Sequence, residues 1–311
     1  DRLRNAPKQV AIDWSALVNV AFGPVAAGDA DEAQARKEKA VALDRVVASR
    51  ISVLIGPAGT GKTTIIKFLL SRVDIVGRRV RLLAPTGKAR VRLGAETGQT
   101  GNVQTVAQFL LKDRYDADTG RYFTNTQAPK LEATTCIVDE SSMLTEDMLA
   151  AIVDALPETC RLVLVGDPYQ LPPIGAGCPF VDIIEYLRRS HDGVGVAELR
   201  TPRRARQDGS TASVLARSDV QLAAIFSGRP LPPGEDEVVI AAIEGKDDET
   251  VKYRRWESTT QLPALIDAVI AEEWGCASSE LPSQVELSRG ASRNAKGYLN
   301  FEHGCSDKAA D

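Results

Sequence analysis

Residues 51–64 read Ile-Ser-Val-Leu-Ile-Gly-Pro-Ala-Gly-Thr-Gly-Lys-Thr-Thr, and this stretch decides the fold. Ile51–Ile55 is a short β-rich run, Gly56–Thr63 matches G-x-x-x-x-G-K-[ST], and a helical pattern follows over Thr64–Leu70. A strand, a glycine loop and a helix in that order make a phosphate cradle. The glycines let backbone N–H groups turn toward phosphate, and the helix N-terminus adds a favourable partial charge. Lys62 can reach the β- and γ-phosphates of ATP, and the Thr63 hydroxyl can hold Mg²⁺. The nucleotide contacts expected on this reading are Gly56, Pro57, Ala58, Gly59, Thr60, Gly61, Lys62, Thr63 and Thr64.

Working outward, three more β-rich runs, Val80–Ala84, Cys136–Val138 and Leu162–Val165, are each followed by a loop and a helical pattern. The alternation predicts an α/β fold: βαβ crossovers and a parallel sheet flanked by helices. The runs are apolar rather than alternating, as expected of strands covered on both faces. Upstream, Asp31–Ser49 has helical spacing, with Ala40, Leu43, Val46 and Val47 on one stripe. Asp118-Thr119-Gly120 between two Tyr-containing flanks predicts a small β-hairpin inserted at about residues 112–130. Beyond Arg206 the periodicity weakens, and GRPLPPGEDE at 228–237 reads as a linker or boundary. A helix is expected near Gln261–Trp274, and the run Tyr253–Trp256 reads as a strand. The expected organisation is an N-terminal segment at 1–30, an ATPase domain at 31–206, and a linker with an incomplete second domain at 207–311.

A chain of 311 residues fits about two domains. With 43% hydrophobic and 26% charged residues it is globular rather than disordered or fibrous. Thirty-eight Lys+Arg against 42 Asp+Glu give −4, so a nucleic-acid partner must be held by local charge. No apolar run approaches the ~20 residues that span a bilayer, and Asp1–Gln9 lacks the apolar core of a secretion signal. The expected location is cytoplasmic, with no membrane partner. Five cysteines without C-x-x-C pairs read as reduced thiols, and His303-Gly304-Cys305 with Cys276 lacks zinc-ligand spacing.

Two further blocks carry chemistry. Cys136-Ile137-Val138 ends in Asp139 and Glu140, where one carboxylate can serve Mg²⁺ and the other can take a proton from an attacking water. Leu162–Gly175, LVLVGDPYQLPPIG, is a strand followed by a proline-fixed loop carrying Gln170, placed to sense a γ-phosphate; the lesser alternative is that Gly166-Asp167-Pro168 within it is a plain turn. Between Ile75 and Ala95, Arg78, Arg79, Arg81, Lys88, Arg90 and Arg92 occur with no acidic residue, a patch able to grip phosphates without reading sequence. Tyr115 and Tyr122 could stack bases; Phe109 reads as core.

In order, GPAGTGKTT, LAPTGKAR, IVDESSM and VGDPYQLPPIG resemble motifs I, Ia, II and III of superfamily 1 DNA helicases, most like the RecD (exonuclease V alpha subunit) and TraA branch, over roughly residues 50–206. The resemblance implies a RecA-like ATPase core, a motor hydrolysing ATP on single-stranded DNA and moving 5′ to 3′, and a monomer needing its own C-terminal RecA-like domain. By motif, Lys62 and Thr63 bind phosphate and Mg²⁺, Asp139 and Glu140 serve metal and water, and Gln170 couples nucleotide to DNA. ELRTPRRAR offers Arg203 and Arg204 to the γ-phosphate, with spacing favouring Arg204. Pro85, Thr86, Lys88, Arg90 and Thr105 are the DNA contacts, with DNA crossing the end of the sheet opposite the ATP site. The chain departs from its relatives at Lys39, in the place of an adenine-reading Gln, and at Ala107, in the place of a His. No match to motifs V and VI is found. Two other classes fit parts of the sequence: a nucleotide-dependent ssDNA-binding module with little catalysis, and an oligomeric AAA-type ATPase, which leaves GDPYQLPPIG without a role.

Overall fold

The computed structural model describes residues 12–25, 29–111, 113–201, 251–252, 254–280, 291–293 and 299–301, with single positions between 222 and 244. By chain contacts it divides into two compact units, Asp1–Glu235 and Asp236–Asp311. That division falls within the proline-rich run at 228–237.

In the first unit the strands are Ile51–Ile55 (β1), Val80–Ala84 (β2), Val103–Thr105 (β3), Tyr115–Asp116 (β4), Arg121–Tyr122 (β5), Thr135–Val138 (β6), Arg161–Gly166 (β7) and Val196–Glu198 (β8). The helices are Trp14–Phe22 (α1), Ala30–Ala48 (α2), Lys62–Leu70 (α3), Val73–Val76 (α4), Gly87–Thr97 (α5), Val106–Leu110 (α6), Glu146–Ala155 (α7) and Pro179–Ser190 (α8). Six strands make one sheet in the order β3-β2-β6-β7-β1-β8, and every neighbouring pair is parallel. This is the α/β architecture, a parallel sheet flanked by helices, that the sequence predicts.

The apolar runs become strands because both faces are covered: all four residues of β6 and all six of β7 are buried. Successive residues feed opposite cores. Val53, Leu83, Val138 and Leu164 pack with α6, α7 and α8, whereas Leu54, Leu82, Ile137 and Val163 pack with α1, α2 and α3. Helix α1 lies in the segment given no structure from the sequence. Asp13 accepts from Ala16 N at 2.9 Å to cap it, and Trp14 and Val18 are buried.

Helix α2 also runs along the β8 edge of the sheet. The Arg45 guanidinium donates to Val196 O at 3.1 Å. Just past β8, Glu38 accepts from Arg200 N at 2.9 Å and Thr201 N at 3.0 Å.

β4 and β5 pair antiparallel and form the inserted hairpin. It is tied to α7 by Arg114, 1% exposed, which donates to Asp154 Oδ2 at 2.7 Å and to the Asn125 and Ala128 carbonyls at 3.2 and 3.3 Å. Burial raises the Asp154 pKa, but hydrogen bonds from Arg114, Asn125 N and Lys130 outweigh it and hold the group at about 2.

In the second unit Leu262–Trp274 forms a helix (α9), and Ala291–Arg293 (β9) and Leu299–Phe301 (β10) pair antiparallel. The expected strand at 253–256 is not found among the described residues: Arg254–Trp256 has no regular structure. Instead Lys252 and Arg254 reach Glu272 on α9 at 3.0 and 3.7 Å. Among the described residues no helix is long and apolar enough to cross a membrane.

Candidate active site

Because β1, β7 and β6 are parallel neighbours, the loops that leave their carboxyl ends share one edge of the sheet, where α/β folds bind ligands. The loop after β1 is the glycine run. Gly59 and Gly61 hold φ of 79° and 95°, left-handed values that suit glycine. Thr64 N and Ile65 N donate back to Gly61 O, so the N–H groups of Lys62 and Thr63, earlier in the turn, have no carbonyl one turn back and are free to meet an anion. Thr60, 1% exposed, braces the loop by donating to Pro57 O at 2.9 Å. Lys62 Nζ folds across the loop onto Gly56 O at 2.7 Å and Pro57 O at 3.1 Å.

Three carboxylates face that ammonium. Burial lowers the Lys62 pKa, while Asp167, Glu140 and Asp139 raise it, Asp167 most strongly of the three. Asp139 is pushed up to about 6, first by burial and then by the charge of Glu140. Glu140 sits at φ 51° and ψ 40°, a left-handed conformation that costs a non-glycine residue about 1 kcal/mol or more. It is one of two such residues among those described, the other being Asp192. Arg92 Nη1 from α5 lies 3.6 Å from Glu140 Oε1 and also pairs with Glu96 at 3.0 Å.

Nucleotide and metal both fit this group. The loop offers glycines, outward N–H groups and a lysine. The Thr63 hydroxyl and the Asp139 carboxylate are the hard oxygen donors Mg²⁺ takes, and a divalent ion would relieve the two adjacent carboxylates that now oppose one another.

Gln170 is exposed on the loop after β7, its backbone N–H bonded to Asp167 O at 3.1 Å. Asp167, 4% exposed, accepts from Tyr169 N at 3.1 Å and is the neighbour that the turn reading passed over. The signal that finds it is the one that found Asp139: an apolar strand that stops at a carboxylate. Arg203 and Arg204 lie outside the described residues.

The DNA candidates lie at the carboxyl ends of β2 and β3, so they share an edge of the sheet with the nucleotide loop rather than occupying the opposite end. The parallel sheet leaves no other arrangement. Pro85 is half-buried, and Thr86 caps α5, accepting from Ala89 N at 3.2 Å. Lys88 is exposed and Arg90 half-buried on that helix. Thr105 caps α6 in a capping box with Gln108, at 3.1 and 2.9 Å. Tyr115 and Tyr122 stack on each other at 4.6 Å and pack on the core, as does the buried Phe109.

The match to a family model decides the affiliation: the model described as an AAA domain matches residues 34–226. The chain belongs to this AAA domain family. Its relatives within reach include the ATP-dependent RecD2 DNA helicase of Deinococcus radiodurans, 38% identical over 149 residues, which cover 48% of this chain and 20% of that protein. The RecBCD enzyme subunit RecD of Mycolicibacterium smegmatis is 34% identical over 245 residues, covering 72% of this chain and 43% of its own length. The conjugal transfer protein TraA of Agrobacterium fabrum is 33% identical over 191 residues, covering 60% and 16%. This AAA chain thus spans less than half the length of each, and the resemblance to RecD and TraA stands on all three.

Proposed function

We propose that this chain is the nucleotide-hydrolysing part of an ATP-dependent DNA helicase or translocase, dependent on Mg²⁺, stimulated by single-stranded DNA and moving 5′ to 3′. One observation carries the reading: the Lys62 loop, Asp139, Glu140 and Asp167 converge from three adjacent strand ends. That set matches the needs of phosphate-anhydride hydrolysis, in which positioning and charge stabilisation do most of the work. Lys62 and the loop N–H groups hold the β- and γ-phosphates. Glu140 takes the proton of the attacking water, and the strained backbone at Glu140 fixes where its carboxylate starts. Thr63 and Asp139 would hold Mg²⁺, which would supply charge neutralisation at the phosphate oxygens.

Gln170 reports the state of the γ-phosphate, and Arg203 or Arg204 completes its charge shell. Single-stranded DNA is held by Pro85, Thr86, Lys88, Arg90 and Thr105, with Arg92 linking that helix to Glu140. A second RecA-like domain, present in the whole protein, closes over the site of a cytoplasmic monomer. The reading is supported by the RecD2 relative, whose name is that of an ATP-dependent DNA helicase.

The test is ATP hydrolysis by the natural-length gene product, titrated with oligo-dT beside a Lys62→Ala control. Stimulation by oligo-dT, abolished in the control, is expected. Turnover indifferent to oligo-dT, or surviving Lys62→Ala at the parental rate, would overturn it.

A further inference from the structure

Arg92 touches the carboxylate cluster from outside the strand ends that build it. Its Nη1 lies 3.6 Å from Glu140 Oε1, an ion pair longer than a hydrogen bond. Its Nε is better held, donating to Glu96 Oε1 at 3.0 Å. After burial and the neighbouring carboxylates, its charge also acts on Lys62 and Asp139. The two ends of the Glu140 contact differ in exposure: the Arg92 side chain is 49% exposed and that of Glu140 21%. A guanidinium that reaches solvent on one side and a carboxylate on the other can change partner without unpacking the core.

The helix indicates what the second partner would be. Lys88 and Arg92 stand one turn apart on α5 and share a face. Lys88 is exposed in the first turn, just past the Thr86 cap, and no acidic residue occurs from Gly87 to Ala95. A polyanion laid along that face from the helix N-terminus meets Lys88 and then Arg92.

We propose that Arg92 is a restraint on Glu140 that nucleic-acid phosphate removes. Without DNA the guanidinium leans on the proton-accepting carboxylate; when single-stranded DNA lies along α5, a phosphate takes the guanidinium and Glu140 is released toward the attacking water. A cation beside Oε1 favours the charged carboxylate, and a carboxylate stabilised in that way is a poorer base. The left-handed backbone at Glu140 fixes the root of the side chain, so release is a matter of the side chain alone. Phosphate is the stronger partner because it can accept two parallel bonds from a guanidinium, whereas Glu140 is held by one long contact. The proposal rests on the nucleotide site and the DNA track argued above and supplies the step by which the track stimulates the site.

Competition for one group is reciprocal: whatever holds Arg92 on Glu140 weakens DNA binding by the same factor. The experiment therefore reads both sides, using the natural-length gene product and its Arg92→Ala, Glu140→Gln, doubly substituted and Lys62→Ala variants at about pH 8, where Asp139 is charged. DNA-free ATP turnover is expected to rise about two- to fivefold in Arg92→Ala, as suits a partly exposed ion pair, and the stimulation by oligo-dT to fall by at least that factor. Oligo-dT binding measured without nucleotide or Mg²⁺ is expected to tighten about two- to fivefold in Glu140→Gln, and most of that gain to vanish in the double variant. A DNA-free rate in Arg92→Ala at or below the parental one would overturn the proposal, as would Glu140→Gln binding oligo-dT no more tightly than the parent. An undiminished gain on adding Arg92→Ala would overturn it too, because the tighter binding would then come from a lost negative charge rather than from a released arginine. A parent whose turnover ignores oligo-dT, or Lys62→Ala hydrolysing ATP at the parental rate, would instead overturn the reading beneath it.

Discussion

Arg114 and Lys62 each face carboxylates inside the same α/β domain, and their surroundings differ in one respect. Arg114 has its partners in place: Asp154 at 2.7 Å and loop carbonyls at 3.2 and 3.3 Å. Asp154 is correspondingly held at about 2. Lys62 spends its hydrogen bonds on its own loop, and beside it Asp139 rises to about 6 against the charge of Glu140. One cluster is complete and serves the fold. The other is left short of positive charge, and its instability is compensated by the cores on both faces of the sheet. Opposed shifts on two aspartates thus separate an ion pair that holds structure from a group poised to receive a ligand.

The comparison can be broken at either end. The largest effect is expected at the incomplete cluster: Glu140→Gln should lower ATP turnover by about 10²–10⁴-fold while keeping ATP affinity. Weakened nucleotide binding in that variant would remove Glu140 from the proton-accepting role. Next, Arg114→Met leaves Asp154 without its buried partner and should cost about 3–5 kcal/mol in urea denaturation. A loss below about 1 kcal/mol would mean that the hairpin base is not held by this pair.

Asp139→Asn should act in the other direction, stabilising the ligand-free chain by about 1–2 kcal/mol at pH 7. The sign follows from a folded pKa of about 6 against the ordinary 3.8: the folded state binds the extra proton, so this contribution weakens as pH rises from about 4 to about 6. The gain from the Asn variant should therefore vanish near pH 4, and a destabilised variant at pH 7 would refute the charge conflict. Asp154 behaves in reverse, its contribution present above its ordinary 3.8 and lost as pH falls toward about 2. The smallest effect sharpens the contrast: Arg79 and Glu132 pair at 2.8 Å but are 61% and 68% exposed. Arg79→Ala should change stability by less than about 0.5 kcal/mol, read in the same urea titration.

The buried strands were legible because their apolar runs are continuous: β1, β2, β6 and β7 lie within a residue of the runs at 51, 80, 136 and 162. β3 and β8 were not, since three residues give too short a pattern to register. The glycine loop, Asp139 and Glu140 were legible as motifs. What motifs could not convey is proximity: Asp167 and Arg92 reach the site from the end of β7 and from α5 through tertiary packing. The same limit explains the hairpin tyrosines, whose residue type allows base stacking while the fold stacks them on one another.

The position of α2 along β8 also bears on how the molecule behaves at high concentration. An outer strand with open backbone groups is a template on which another chain can add, the first step of edge-to-edge aggregation. Here Arg45 already takes the carbonyl of Val196, and Glu38 takes the N–H groups of the two residues leading away from the strand. With β8 itself only three residues long, the edge offers a second chain few open backbone groups, and the helix beside it already holds part of them.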